Sequence, residues 1–342
     1  MKTNLDHHWI LLSVTLGAIA ALALLLALTV HAVALPAADT ARNHAVGHAG
    51  DGSKLVPGGQ RPASDVAARS AFTIYLPAIQ TTRRGRIAFA CGWGICVMRD
   101  DGTELVQITD ESVRADHPDW SPYGDQIALT ASFAGDQEIC VIDADGTGLT
   151  RLTYTAGPDV HPRWSPDGTQ MAFVSERSGQ REIYVMNADG TDQTNLTNHP
   201  AADTNPSWTP TGTQMAFASD RAGQQDIYVM NADGGDVTRL TDDPAWDGEA
   251  VWSPDGSQII FASQRAGNQE IYVMDADGTA LTRLTDNVAW DGQPAWSPDG
   301  SQIALASLRS GDQDIHTMMA DGTGAVNLTS GQFYARWPDW IR

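Results

Sequence analysis

The chain has 342 residues, 42% of them apolar, with 32 Gly, 17 Pro and a formal net charge of −21. That length allows two or three domains or one large β-domain, and the turn-rich composition favours β structure over helix bundles. Residues 1–82 carry 5 bases and 4 acids, whereas residues 83–342 carry 16 bases, all Arg, against 38 acids. A body this acidic excludes nucleic acid, whose phosphates need a basic face, and disfavours anionic lipid. Cationic, neutral or metal-mediated partners are left.

In chain order, the first element is an apolar run over residues 10–30, interrupted only by Ser13, Thr15 and Thr29. It is long enough to cross a bilayer as a helix. It also reads as a signal-peptide core ending at His31-Ala32-Val33-Ala34, an A-x-A cleavage pattern. Residues 1–34 are therefore expected to be a signal peptide or a membrane anchor. Either reading places the rest in the periplasm or outside the cell. The first cysteine is Cys91, which excludes a lipoprotein anchor. Residues 35–82, rich in Ala, Gly, Pro, Ser and His, read as a flexible linker with one apolar island at 72–76.

From Arg83 onward a 44-residue repeat takes over. Tryptophan recurs at 120, 164, 208, 252, 296 and 340. Trp164-Ser-Pro-Asp-Gly is typical of the first five, and Ile183-Tyr-Val-Met-Asn-Ala-Asp-Gly190 marks a second anchor. Leu-Thr pairs at 152, 196, 240, 284 and 328 mark a third. Each period predicts four short antiparallel strands, A to D, separated by turns, which is the pattern of a β-propeller blade. The domain over 83–342 begins with a B strand, Arg86 to Ala90, and ends with an A strand, Arg336 to Trp340. The expectation is an all-β, six-bladed β-propeller whose C-terminal strand completes the first blade and leaves no open edge.

These motifs resemble the WD40-like (PD40) repeat of the TolB family, whose hallmark is Trp-Ser-Pro-Asp-Gly followed by an apolar strand. The resemblance covers residues 83–342 and implies six blades. TolB proteins carry a small α/β domain ahead of the propeller, where this chain has a linker. The same repeat occurs in propellers of tricorn-type and prolyl-oligopeptidase-like peptidases.

What recurs in every copy is expected to serve the blade. Trp and Ile-Tyr-Val-Met fill the space between sheets. Ala-Asp-Gly sequences read as hairpin turns rather than calcium loops. Arg177, Arg221, Arg265 and Arg309 are expected to pair with Asp159, Asp203, Asp247 and Asp291 through bidentate forks. Arg151, on a D strand, is expected to matter less. Cys91 and Cys96 are expected to form a disulfide in an oxidising compartment, leaving Cys140 free and buried.

What varies between copies is the better candidate for a site. Three residues before each Trp stand His117, His161, Asn205, Glu249, Gln293 and Trp337, near the start of the strand that lines the channel. They predict a polar funnel for a ligand. Trp246 and Trp290, on D–A loops of the same face, would add an aromatic platform or staple the loops down. His199 lies on that face too. His117, His161 and Glu249 raise the alternative of a metal, but no ligand spacing supports one, and no metal or cofactor is expected. There is no Gly-x-Ser-x-Gly elbow, His-Glu-x-x-His or phosphate loop.

The leading reading is a monomeric, exported or membrane-anchored binding scaffold of the cell envelope. It would recognise a protein, peptide or glycan at the channel-mouth face. The alternative is a metal-dependent polysaccharide lyase or hydrolase using channel-mouth histidines. Oligogalacturonate lyases resemble this repeat and hold a metal that way, on seven blades.

Overall fold

The computed structural model describes residues 85–341 apart from 111 and 134. The segments 1–34 and 35–82, with the expected N-terminal helix and the island at 72–76, lie outside the described residues.

The chain opens with β1 (Arg86–Cys91), β2 (Gly94–Arg99) and β3 (Val106–Gln107). Four strands follow in each of five periods. The first two periods are β4 (Ala115–Trp120), β5 (Gln126–Phe133), β6 (Asp136–Asp143), β7 (Thr150–Arg151), then β8 (Asp159–Trp164), β9 (Gln170–Ser175), β10 (Glu182–Asn187), β11 (Thr194–Asn195). The next is β12 (Asp203–Trp208), β13 (Gln214–Ser219), β14 (Asp226–Asn231), β15 (Thr238–Arg239). The last two are β16 (Asp247–Trp252), β17 (Gln258–Ser263), β18 (Glu270–Asp275), β19 (Thr282–Arg283), then β20 (Asp291–Trp296), β21 (Gln302–Ser307), β22 (Asp314–Met319), β23 (Val326–Asn327). β24 (Ala335–Ile341) ends the chain.

Six four-stranded antiparallel sheets result, and β24 joins β1, β2 and β3 as the inner strand of blade 1. Its register runs from Ala335 opposite Cys91 to Ile341 opposite Arg86. Across the next gap the Arg336 guanidinium grips Asp116 at 2.7 Å, tying the closing strand to blade 2.

The core sits between neighbouring sheets. Ile139 and Val141 of blade 2, for example, pack with Trp164, Met171, Phe173 and Tyr184 of blade 3. B and C strands are buried on both faces, which explains their near-continuous apolar runs.

The four expected Arg–Asp pairs form, with Nη2 at 2.8, 3.0, 2.7 and 2.6 Å from Asp159, Asp203, Asp247 and Asp291. All four carboxylates are fully buried. The expected fork is not what holds them. Each guanidinium gives one Nη to the carboxylate and its Nε to a hydroxyl two residues back, on Ser175, Ser219, Ser263 or Ser307. Arg177, Arg221 and Arg265 also lie over aromatic rings, 4.7–5.1 Å from Tyr184, Tyr228 and Tyr272. A lysine ammonium offers one compact charge and cannot bridge two acceptors while lying flat on rings.

Arg151 corrects the sequence reading. It donates to the buried Glu138 and stacks 4.5 Å from Tyr154. Arg239 with Asp226 (2.7 Å) and Arg283 with Glu270 (2.9 Å) repeat the arrangement. A second set of buried carboxylates is thus neutralised from the D strands.

Two outcomes follow from this architecture. Deleting residues 333–342 exposes the edges of β1 and of blade 6, so the truncated protein should lose its single cooperative melting transition or aggregate. Calorimetry that shows an unchanged transition would overturn the closure. Arg221→Lys should cost about 1–2 kcal/mol because it strands a buried carboxylate. Arg181→Lys, whose partner Glu176 is exposed, should leave the melting temperature within about 1 °C.

Candidate functional site

The inner strands carry a shared irregularity. Pairing slips between Asp116 and Asp119, Val160 and Arg163, Thr204 and Ser207, Gly248 and Val251, and Gly292 and Ala295. β24 does the same opposite Ala88 and Ala90. The residue inside each slip is left-handed, with φ between 51° and 57° at His117, His161, Asn205, Glu249, Gln293 and Trp337. A bulge of this kind re-aims its side chain. Here it brings all six predicted residues together on the axis.

Five of the six neighbouring pairs around the ring are in contact. The imidazoles of His117 and His161 lie with centroids 3.8 Å apart, and the Trp337 ring closes on both at 4.7 and 5.0 Å. Asn205 Nδ2 sits 2.9 Å from His161 Nδ1. The Gln293 N–H donates to Glu249 Oε2 at 2.6 Å, and the Trp337 N–H donates to Gln293 Oε1 at 2.9 Å. The space left beside Asn205, Glu249, Gln293 and Trp337 is only about 10 Å³. The expected open funnel is therefore a plug at this level, because six side chains, two of them stacked, fill the axis.

Electrostatics follow from that enclosure. Burial holds His117 down at about 3, with Arg163 and Arg336 adding to the effect. Burial holds His161 well below the usual imidazole range, and His117 and Arg163 push the same way. Both rings are neutral at pH 7. Burial raises the Glu249 carboxyl to about 7 against the Gln293 N–H that favours its charged form. The stacked imidazoles do not converge on Glu249. Among the described residues no group of three or more His, Cys, Asp or Glu is placed to hold a metal.

Trp246 and Trp290 stand apart from the ring. Each lies over a glycine of the inner strand. A Cβ at Gly248 would meet Trp246 Cζ2 at 2.4 Å, and one at Gly292 would meet Trp290 Cζ2 at 2.5 Å. Trp246 Nε1 donates to Gln225, and both indoles pack against inter-blade core. They are half-buried staples rather than a free platform. His199 is also held away: its N–H donates to Glu182 and its Nδ1 accepts from Ala201 N–H. Cys91 and Cys96 are disulfide-bonded, and Cys140 is free and buried, its thiol pushed up to about 12 by burial.

A second tier escaped the sequence reading. The residue immediately before each Trp also faces the channel, nearer the Pro-Asp-Gly turns: Asp119, Arg163, Ser207, Val251, Ala295 and Asp339. Arg163 pairs with Asp119 at 2.9 Å. Asp119 accepts the Trp164 N–H at 2.6 Å and Asp339 accepts the Trp120 N–H at 2.7 Å, so each carboxylate bridges to the next blade. The signal was available, since this position differs from blade to blade as much as the first.

Six such blades around a filled axis define a closed β-propeller of the WD40-like kind. The chain belongs to the TolB β-propeller (PD40) family, whose signature matches residues 95–192, 177–251 and 246–341. Among solved structures, TolB from Acinetobacter baumannii superposes with a TM-score of 0.66 at 25% identity, covering 75% of this chain and 66% of that one. The chain therefore spans just under two thirds of that TolB. A protein assigned as TolB from Agrobacterium tumefaciens gives a TM-score of 0.61 at 24% identity, covering 72% of this chain and 88% of that one. A chain of a nidogen/laminin complex gives 0.63 at 11% identity, covering 75% and 98%, a likeness of fold alone. No curated protein sequence matches the chain.

The raised Glu249 carboxyl fixes the sign of a pH effect. The native carboxyl holds its proton up to about 7, whereas the unfolded one loses it near its ordinary 4.5. Stability attached to this group falls as pH rises through that window, and the penalty is complete above it. Glu249→Gln removes the penalty and keeps an acceptor for Gln293. The melting temperature of the variant relative to wild type should rise by a few degrees between about pH 5 and about pH 8. A constant difference would refute the assignment.

Proposed function

We propose that this chain is an exported, non-enzymatic binding propeller of the cell envelope, delivered or anchored by residues 10–30. It engages a protein partner on the face that carries the D–A and B–C loops. The observation that carries this reading is the concentration of blade-specific side chains there. The opposite rim repeats nearly the same Asp-Gly turns.

Beside the ring of His117, His161 and Trp337, that face exposes Trp93 at 66% and Tyr334 at 56%. The Gly92 N–H donates to the Tyr334 carbonyl at 3.1 Å, which brings the two together. The disulfide from Cys91 to Cys96 brackets Trp93 and braces its hairpin. Arg114 lies 4.8 Å over Trp93, and Arg336 lies 5.5 Å over Tyr334. Large, constrained amphipathic rings of this kind anchor protein interfaces. The disulfide also supports an oxidising location, and the acidic body favours a partner segment that carries positive charge. Trp246, Glu249, Trp290 and Gln293 form the far side of the same face, with the two indoles contributing their exposed edges.

The test uses affinity capture from envelope extract, followed by titration of the recovered partner. Trp93→Ala with Tyr334→Ala should weaken binding by about 2 kcal/mol, roughly 30-fold in Kd, with little change in melting temperature. Full binding by that variant, with loss on Asp189→Asn and Asp233→Asn in the opposite turns, would place the site on the wrong face.

A further inference from the structure

On the Pro-Asp-Gly side the channel widens, below the plug, into a cavity of about 150 Å³. It is a blind funnel, since the space at the plug is about 10 Å³. Its lining is divided. Asp339 of blade 1 and Asp119 of blade 2 form one wall, with Arg163 beside them, while Trp208, Val251 and Pro294 of blades 4, 5 and 6 form the other.

The charges on the first wall do not balance. Asp119 accepts from Arg163 at Oδ1, 2.9 Å away, and from the Trp164 N–H at Oδ2. Asp339 accepts the Trp120 N–H at 2.7 Å but has no ion pair of its own among the described residues. Trp120 follows Asp119 in the chain, so that hydrogen bond draws the two carboxylates together. One guanidinium therefore faces two acids. Enclosure and mutual repulsion push the Asp119 carboxyl up to about 7, and enclosure pushes Asp339 up as well. A cation entering between them would relieve both effects.

We infer that this funnel binds an n-alkyl primary ammonium group, with the ammonium between Asp119 and Asp339 and the methylene stem along Val251, Ala295 and Pro294. The apolar wall favours an organic cation over a bare metal ion, because a hard divalent ion needs six or more oxygen ligands and half of this lining supplies none. The volume suits about six heavy atoms, since an engineered cavity of about 150 Å³ holds one benzene. That is the length of a lysine from Cα to Nζ or of pentylammonium. A protein lysine and a free amine share this chemistry. The pocket lies on the face opposite the proposed partner surface and does not depend on that reading.

Titration calorimetry near neutral pH separates the outcomes. The probes are n-pentylamine hydrochloride, Nα-acetyl-lysine-N-methylamide, the uncharged Nα-acetyl-norleucine-N-methylamide, and calcium chloride. The two amines should bind with a Kd of roughly 1 mM or tighter, and the norleucine compound should not. Binding of both amines identifies a protein lysine as an acceptable source, and binding of pentylamine alone restricts the pocket to free amines. Asp339→Asn keeps an acceptor for the Trp120 N–H and should weaken amine binding at least about tenfold. Val251→Phe fills the apolar wall without touching charge and should weaken it too. The inference is overturned if neither amine binds a folded wild-type protein, if Asp339→Asn binds amines as wild type does, or if calcium binds where amines do not.

Discussion

A single backbone irregularity, the left-handed residue three before each tryptophan, organises the rest of the molecule. A non-glycine residue in that region costs on the order of 1 kcal/mol, and this ring holds six of them. Each is fixed between a paired outer half of the inner strand and a paired tip that ends at the Trp. The bulge turns one side chain per blade onto the axis, where His117, His161, Asn205, Glu249, Gln293 and Trp337 close the channel. The residue two further on then faces the channel below that plug. Both proposed binding surfaces depend on this, because the plug separates the mouth from the blind funnel.

Charge obeys a second constraint. Fully buried carboxylates recur at two levels of the blade, at Asp159, Asp203, Asp247 and Asp291 and at Glu138, Asp226 and Glu270. An unpaired buried charge is far more costly than a solvated one. Every one of these acids meets an arginine, and four of the arginines also meet a serine hydroxyl. Where blade 6 has Asn327 in place of the D-strand arginine, Asp314 is held instead by Asn327, Ser310, Thr329 and the Gly331 N–H. Those hydrogen bonds keep its carboxyl below the ordinary range despite burial. Glu182 in blade 3, where Asn195 replaces that arginine, is likewise held by Gln180, Thr197 and the His199 N–H, so these fully buried carboxylates are either paired with arginine or satisfied by hydrogen bonds.

Much of this was legible in the residues because the repeat states its own geometry six times. The tryptophan spacing, the turn sequences and a leading B strand matched by a trailing A strand determine six four-stranded blades and their closure. They also determine the pairing of Arg177 with Asp159 and its equivalents, since both positions recur at one end of the blade. The six axial residues stood out because they vary where everything around them repeats. Other features were not legible. Whether Trp246 forms a platform or a staple stayed open because a sequence does not show that Gly248 leaves a hollow that accepts its ring. Arg151 looked less important because Glu138 meets it only across the pairing of a C strand with a D strand.

The sequence by itself thus determined the fold, the number of blades and the identity of the axial residues. Those depend on local period and turn chemistry, which are written along the chain. Only the tertiary structure decided that the axial residues form a plug, that Trp93 and Tyr334 lie side by side and exposed at the mouth, and that Asp119 and Asp339 share one wall of a funnel. Those facts depend on how six strands from distant parts of the chain converge on one axis. Distances across that axis are set by the closure of the ring and by the hand of each bulge, neither of which any single repeat contains.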